Sequence, residues 1–112
     1  MANASEELVR FNLRVYGIWI NSDNQVLLSR ETHQDYDQLL KFPGGGLELG
    51  EGVLEGLQRE FYEETGLQLL DYQHFYTTEF FQESYFRAGD QIISIYYLVH
   101  CDEDAGISPL EQ

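Results

Sequence analysis

Gly45-Gly46-Leu47-Glu48-Leu49-Gly50-Glu51-Gly52-Val53-Leu54-Glu55-Gly56-Leu57-Gln58-Arg59-Glu60-Phe61-Tyr62-Glu63-Glu64-Thr65-Gly66-Leu67 is the stretch that decides how this chain folds. A glycine-rich turn runs into a segment whose acids are spaced for a helix. A helix advances about 100° per residue. With Glu60 at the origin, Glu64 falls near 40° and Glu63 near −60°, so about a third of the circumference carries three carboxylates. Like charges three and four residues apart cost a helix roughly 0.2–0.5 kcal/mol per pair. The arrangement gains nothing locally. It makes sense if a hard divalent cation sits on that face, because such cations prefer carboxylate oxygens.

The remainder of the segment supports the helix. Val53, Leu54, Leu57 and Phe61 recur at helical spacing beside the acidic arc. Gly52 is an acceptable, if weak, N-cap. Glu55 and Arg59 stand four apart, as a favourable ion pair would. Gly66 occupies the place where a left-handed residue closes a helix. The expectation is a helix over Val53 to Thr65.

Gly45, Glu51, Arg59, Glu60, Phe61, Glu63, Glu64, Gly66 and Leu67 together resemble the Nudix box, G-x5-E-x7-R-E-U-x-E-E-x-G-U, where U is a bulky apolar residue. Every fixed position matches, with Phe61 as an aromatic U. Phe42-Pro43-Gly44-Gly45-Gly46 resembles the family's approach to the box. The resemblance implies an α+β fold of the Nudix type: a mixed β-sheet in an α/β/α sandwich, with a second helix near the C-terminus. Where the sequence ends, at Gln112, that second helix would still lie ahead. The expectation is one domain, residues 1–112, truncated at its C-terminal side. The alternative is a homodimer whose second subunit covers the open face.

The resemblance also implies a chemistry. Glutamates matching Glu60, Glu63 and Glu64, with the backbone carbonyl of Gly44, would hold Mg²⁺ or Mn²⁺. The substrate would be a small nucleotide, a nucleoside diphosphate linked to another group, and one phosphoanhydride bond would be hydrolysed. Glu60, Glu63 and Arg59 are the candidate catalytic residues, Arg59 through pairing with Glu51 rather than through phosphate. Glu51 is expected to organise the site rather than to ligate metal. Arg30, Lys41 and Gly45 are the candidate substrate contacts. Gly45 and its neighbours let the backbone approach metal and phosphate closely, and Gly56 is expected to keep the acidic face uncrowded. The general base is open between a helix glutamate and Glu103, Asp104 or Glu111. A sensor that binds a nucleotide without turning it over is the rival reading. A plain Ca²⁺-binding protein is excluded, because no alternating-oxygen loop of the EF-hand type is present.

Composition narrows the partners. Net charge is −14, from six basic and 20 acidic residues. Such a chain is a poor general partner for nucleic acid or an anionic membrane. Hydrophobic residues make up 43% and aromatics 14%, as in a globular domain. Cys101 is alone, which rules out an internal disulfide and points to a reducing compartment. Met1 to Arg10 lacks the apolar region of a signal peptide, and no run approaches the roughly 18 apolar residues of a membrane span. The expected location is cytoplasmic.

Around the helix, Phe11 to Ile20 alternates as a strand, with Phe11, Leu13, Val15, Gly17 and Trp19 on one face. Asn21 to Asn24 is a turn, and Gln25 to Ser29 a second strand pairing back as a hairpin. Glu31 to Lys41 is polar and is expected as a loop over the site. Leu67 to Phe81 is β-rich and bent near Asp71. Ala88-Gly89-Asp90 turns into a strand over Gln91 to His100. The aromatics of these strands, Phe75, Tyr76, Phe80, Phe81, Tyr85, Phe86, Tyr96 and Tyr97, are expected in the core or on sheet surface rather than on a base. His33, His74 and His100 show no paired metal spacing.

Overall fold

The computed structural model describes residues 7–33 and 36–102. Four strands make one mixed sheet in the order β4-β1-β6-β5. They are β1 (Arg10–Ile18), β4 (Gly44–Gly46), β5 (Leu69–Thr77) and β6 (Asp90–Cys101). β1 runs parallel to β6 and antiparallel to β4, while β5 is antiparallel to β6. A second, two-stranded sheet pairs β2 (Ser29–His33) with β3 (Tyr36–Lys41). The helix α1 spans Val53–Thr65, within the bounds its apolar stripe indicates. Among the described residues it is the one helix, so the fold is α+β with a mixed sheet. No described helix is long and apolar enough to cross a membrane.

Helix and sheet meet along one apolar seam. Leu57 and Phe61 are fully buried against Val15, Trp19, Leu67, Val99 and Cys101. A Cβ on Gly17 would lie 2.9 Å from Phe61 Cδ2 and 3.3 Å from Val99 Cγ2. The bare backbone there lets α1 close onto β1. At its start, α1 has its Gly52 N–H held at 2.7 Å by the side chain of Glu55. Glu55 therefore caps the helix instead of pairing with Arg59. The helix ends at Gly66, in the left-handed region at φ 75°, which glycine enters without a Cβ penalty.

The register of β1 on β6 is fastened at one end by charge. Arg10 stands opposite Asp90. The Asp90 side chain, 1% exposed, accepts from Arg10 and, at 3.1 Å, from Asn12 Nδ2. Backbone–backbone bonding continues through the Gly89 turn, where Val9 N–H donates to Gly89 O at 2.7 Å.

Two sequence expectations need correction. The stretch Glu31 to Lys41 is largely strand, not loop: Ser29 faces Lys41, Arg30 faces Leu40 and Glu31 faces Leu39. Its cross-strand backbone bonds need no apolar alternation, so the polar composition concealed them. The stretch Gln25 to Ser29 does pair back around the Ile20–Val26 bridge, through Asn21 N–H to Gln25 O at 2.9 Å and Leu27 N–H to Trp19 O at 3.1 Å, but it forms no continuous strand there. The Asn24 turn at φ 61° is present; the second strand begins at Ser29 and takes β3 as its partner. Phe11 and Leu13 are exposed although they share a face with buried Val15 and Trp19, because the buried cluster lies at the Val15–Trp19 end of the strand.

β5 is an edge strand exposed along most of its length, with register shifts between Leu69 and Asp71 and between His74 and Tyr76. Phe75, Tyr76, Phe80, Phe81, Tyr85 and Phe86 are all exposed, which places them on surface rather than in the core. On the sheet face opposite α1, Tyr16 and Tyr96 stack with centroids 5.3 Å apart. Among the described residues no second helix covers that face.

Candidate active site

The site is built where β4 passes under the C-terminal half of α1. The three glycines of β4 pair with Arg14, Val15 and Tyr16 of β1. Gly44 and Gly45 are buried. A Cβ on Gly45 would lie 2.6 Å from the carboxyl carbon of Glu60. The backbone of β4 thus comes into direct contact with the acidic face of α1, and a larger residue at Gly45 would push the Glu60 carboxylate aside.

Arg59 organises one half of this region. Its Nε and Nη2 donate to Glu51 Oε2 and Oε1 at 2.8 and 2.7 Å. Nη2 also donates to the Gly46 carbonyl at 3.0 Å. Glu51 Oε1 in turn accepts the backbone N–H of Glu48 at 2.9 Å. The loop between β4 and α1 is therefore cross-braced to the helix. The hydrogen bonds from Arg59, then that from Glu48, hold the Glu51 carboxyl down to about 2 from its ordinary 4.5. Glu51 keeps the Arg59 guanidinium protonated well above the usual arginine range.

The same guanidinium reaches two of the helix glutamates. Arg59 Nη1 lies 3.1 Å from Glu60 Oε2 and 3.3 Å from Glu63 Oε1. A helical wheel places Arg59 off the acidic arc, but its long side chain folds back across it. The third glutamate has a different cation. Glu64 Oε1 accepts the Gly44 backbone N–H at 3.2 Å. Lys41 Nζ lies 3.1 Å from both Glu64 oxygens and 2.9 Å from the Gly44 carbonyl. It also sits 5.7 Å above the ring of Tyr16.

The structure thus brings Lys41, Gly44, Gly45, Glu51, Arg59, Glu60, Glu63 and Glu64 into one neighbourhood. The acids are gathered in two sets, each around a side-chain cation. Among the described residues no three acidic, histidine or cysteine groups converge on one point. Arg30 stands apart from this set: it is exposed and faces Leu40 in the β2–β3 hairpin. Gly56 is needed for another reason than expected. A Cβ there would lie 2.3 Å from Leu47 and 2.9 Å from Glu51 Oε1, so its smallness seats the cross-braced loop. Glu103, Asp104 and Glu111 lie outside the described residues.

Sequence reasoning missed two participants. Tyr16 carries the Lys41 ammonium on its ring and accepts Arg14 Nε at its hydroxyl, 2.7 Å away. Glu48 stands 3.6 Å from Arg59 Nη1. The strand alternation that turns Tyr16 away from Val15 was the available signal for the first; nothing local marked the second.

An RNA pyrophosphohydrolase from Bartonella bacilliformis is 38% identical over 61 residues, covering 54% of this chain and 34% of its own length. An 8-oxo-dGTP diphosphatase from Haemophilus influenzae is 35% identical over 86 residues, covering 75% of this chain and 59% of its own. The chain therefore spans between a third and three-fifths of these curated relatives. A solved MutT structure, from work on the enzymes of Aliivibrio salmonicida and Vibrio cholerae, superposes with a TM-score of 0.60 at 27% identity. It covers 80% of this chain and 64% of its own. The NUDIX domain model matches residues 10–111, and with the complete box in place at the β4–α1 junction the chain belongs to the NUDIX domain family.

Proposed function

We propose that this chain is a pyrophosphohydrolase that cleaves a phosphoanhydride bond in a nucleoside diphosphate linked to another group, using Mg²⁺ or Mn²⁺. One observation carries the reading: the four oxygen donors stand in two neighbouring sets, the Gly44 carbonyl and Glu64 around Lys41 Nζ and the carboxylates of Glu60 and Glu63 around Arg59 Nη1. The donor set is all oxygen, which suits a hard dication. When bound there, the ion would neutralise phosphate oxygens and acidify water.

The chain's own residues have the following roles. Arg59 and Glu51 fix the β4–α1 loop so that the Gly44 carbonyl and the helix carboxylates keep their spacing. Gly45 lets the backbone approach the diphosphate. Lys41 is the cation beside the site available to substrate phosphate, while Arg30 could reach a phosphate only from the β2–β3 hairpin, apart from the acidic cluster. Water adds through its oxygen to one phosphorus, the bridging P–O bond breaks, and the bridging oxygen leaves on the departing phosphate. The proton of the attacking water passes to a carboxylate of α1, Glu60 or Glu63.

The two curated relatives carry names for RNA and for a free nucleotide substrate. A net charge of −14 repels a polyanion such as RNA. A small nucleotide, brought in by the cation, is therefore the favoured substrate class. The deciding experiment is product release from nucleoside triphosphates, nucleotide sugars, ADP-ribose and dinucleoside polyphosphates, with Mg²⁺ or EDTA. Turnover of one class in Mg²⁺, abolished by EDTA and by Glu64→Gln, supports the proposal. Binding of a nucleotide without any product would favour a sensor instead.

A further inference from the structure

Lys41 is the only lysine in the chain, and its ammonium is placed among three oxygens rather than in solvent. It lies 2.9 Å from the Gly44 carbonyl and 3.1 Å from each Glu64 oxygen. The side chains of Lys41 and Glu64 are 15% and 23% exposed, so solvent screens the pair only in part. The Tyr16 ring, 5.7 Å from Nζ, backs the ammonium on another side, within reach of a cation–π attraction. Two of the four oxygen donors proposed for the metal are thus already occupied by a cation tethered to β3.

We propose that Lys41 is an internal competitor for the metal. In the metal-free protein it holds Gly44 O and Glu64 together, and divalent metal binds only by displacing it. The inference rests on the metal reading of the proposed function. An ammonium and a dication cannot share the Gly44 carbonyl and the Glu64 carboxylate without strong mutual repulsion. Displacement therefore breaks an ion pair and a hydrogen bond before the metal gains either ligand. The affinity of the wild-type site is lowered by that cost. The freed ammonium remains beside the site, where the anionic substrate arrives. Metal binding thereby releases the lysine that the substrate needs.

The sign of one measurement separates this role from simple bracing. If Lys41 merely braced the ligands, removing it would loosen them and weaken metal binding. If it competes, removing it strengthens binding. Lys41→Met keeps most of the apolar stem over Tyr16 and deletes the charge. Titration calorimetry of Mg²⁺ and Mn²⁺ into metal-free protein should show Lys41→Met binding about three- to tenfold tighter than wild type, the range for losing a partly screened ion pair and one hydrogen bond. Equal or weaker binding by Lys41→Met, with wild type binding normally, would overturn the competition alone. Absence of binding by both proteins would overturn it together with the metal reading. A second measurement needs no variant. Lysine labelled with ¹³C at Cε gives a single side-chain signal in the wild-type protein. That signal should shift on titration with Mg²⁺ and saturate with the calorimetric affinity; a signal that stays in place while Mg²⁺ binds would also overturn the proposal.

Discussion

Arg59 grips Glu51 with two parallel hydrogen bonds of 2.8 and 2.7 Å, across eight residues of sequence. This fork-on-fork pair ties the loop before α1 to the middle of the helix and draws the Gly46 carbonyl in with it. Such geometry fixes orientation as well as charge.

The pair makes the acid limb of stability depend on Glu51. Its folded-state value is held near 2, below the ordinary 4.5. A depressed carboxylate contributes stability that is complete above its unfolded value and is lost as pH falls through the folded one. The contribution should therefore disappear between about pH 4.5 and 2. Urea midpoints for wild type and Glu51→Gln should differ at pH 6 and converge as pH descends through that window. A difference that stays constant from pH 6 to pH 2 would show that the ionised carboxylate is not what Arg59 requires.

The helix and its cap were legible because they rest on periodicity. Val53, Leu54, Leu57 and Phe61 mark the buried side, and Gly66 marks the end. The shared neighbourhood of Arg59, Glu60, Glu63 and Glu64 was legible because a fixed spacing on one helix carries these four. What escaped the sequence lies between elements or away from the core. The β2–β3 hairpin leaves Arg30 and Leu40 exposed, so no apolar alternation announces it. The contact of Lys41 with Glu64 spans 23 residues, and no local pattern encodes it. Phe11 and Leu13 continue an apolar alternation beyond the buried cluster, which only the placement of α1 reveals.

Gly45→Ala should separate folding from function. The new methyl would lie 2.6 Å from the Glu60 carboxyl carbon and Oε1. A carboxyl at the end of a flexible side chain can swing aside, so the melting temperature should fall by only a few degrees, for about 1 kcal/mol. The displaced Glu60 no longer matches the site, and an ångström of misplacement can cost roughly a hundredfold in rate. Mg²⁺-dependent turnover should drop by that order while the far-ultraviolet circular dichroism stays unchanged. Retained activity would remove Glu60 from the catalytic set.

Gly17 and Phe61 should show coupled stabilities. Gly17→Ala forces a methyl to 2.9 Å from the Phe61 ring, an overpacking worth about 1–3 kcal/mol. Phe61→Ala empties the fully buried centre of the seam, at about 3–5 kcal/mol. In the double variant the Gly17→Ala methyl enters space the ring has left. Its loss of stability in urea should be smaller than the sum of the two single losses by at least about 0.5 kcal/mol. Strict additivity would mean that the helix does not close onto β1 through this contact.

Divalent cations should stabilise the folded protein, because the oxygens they need are arranged only in the fold. Unfolding parts Gly44 from Glu64 and both from Glu60, so the unfolded chain has no comparable site. A ligand that binds the native state alone stabilises it by RT ln(1 + [L]/Kd), about 1.4 kcal/mol at ten times Kd. For a domain of this size that is a rise of roughly 5–10 °C. Scanning calorimetry in EDTA and in a Mg²⁺ series should show the midpoint climbing with the logarithm of concentration once Kd is passed. Glu64→Gln should flatten the climb, since it removes the carboxylate that Gly44 N–H and Lys41 hold in place. Ca²⁺ should raise the midpoint too, yet support little turnover, as its looser coordination aligns phosphate less well. Coincident melting of wild type in EDTA and in millimolar Mg²⁺ would count against a metal site formed by Gly44, Glu60, Glu63 and Glu64.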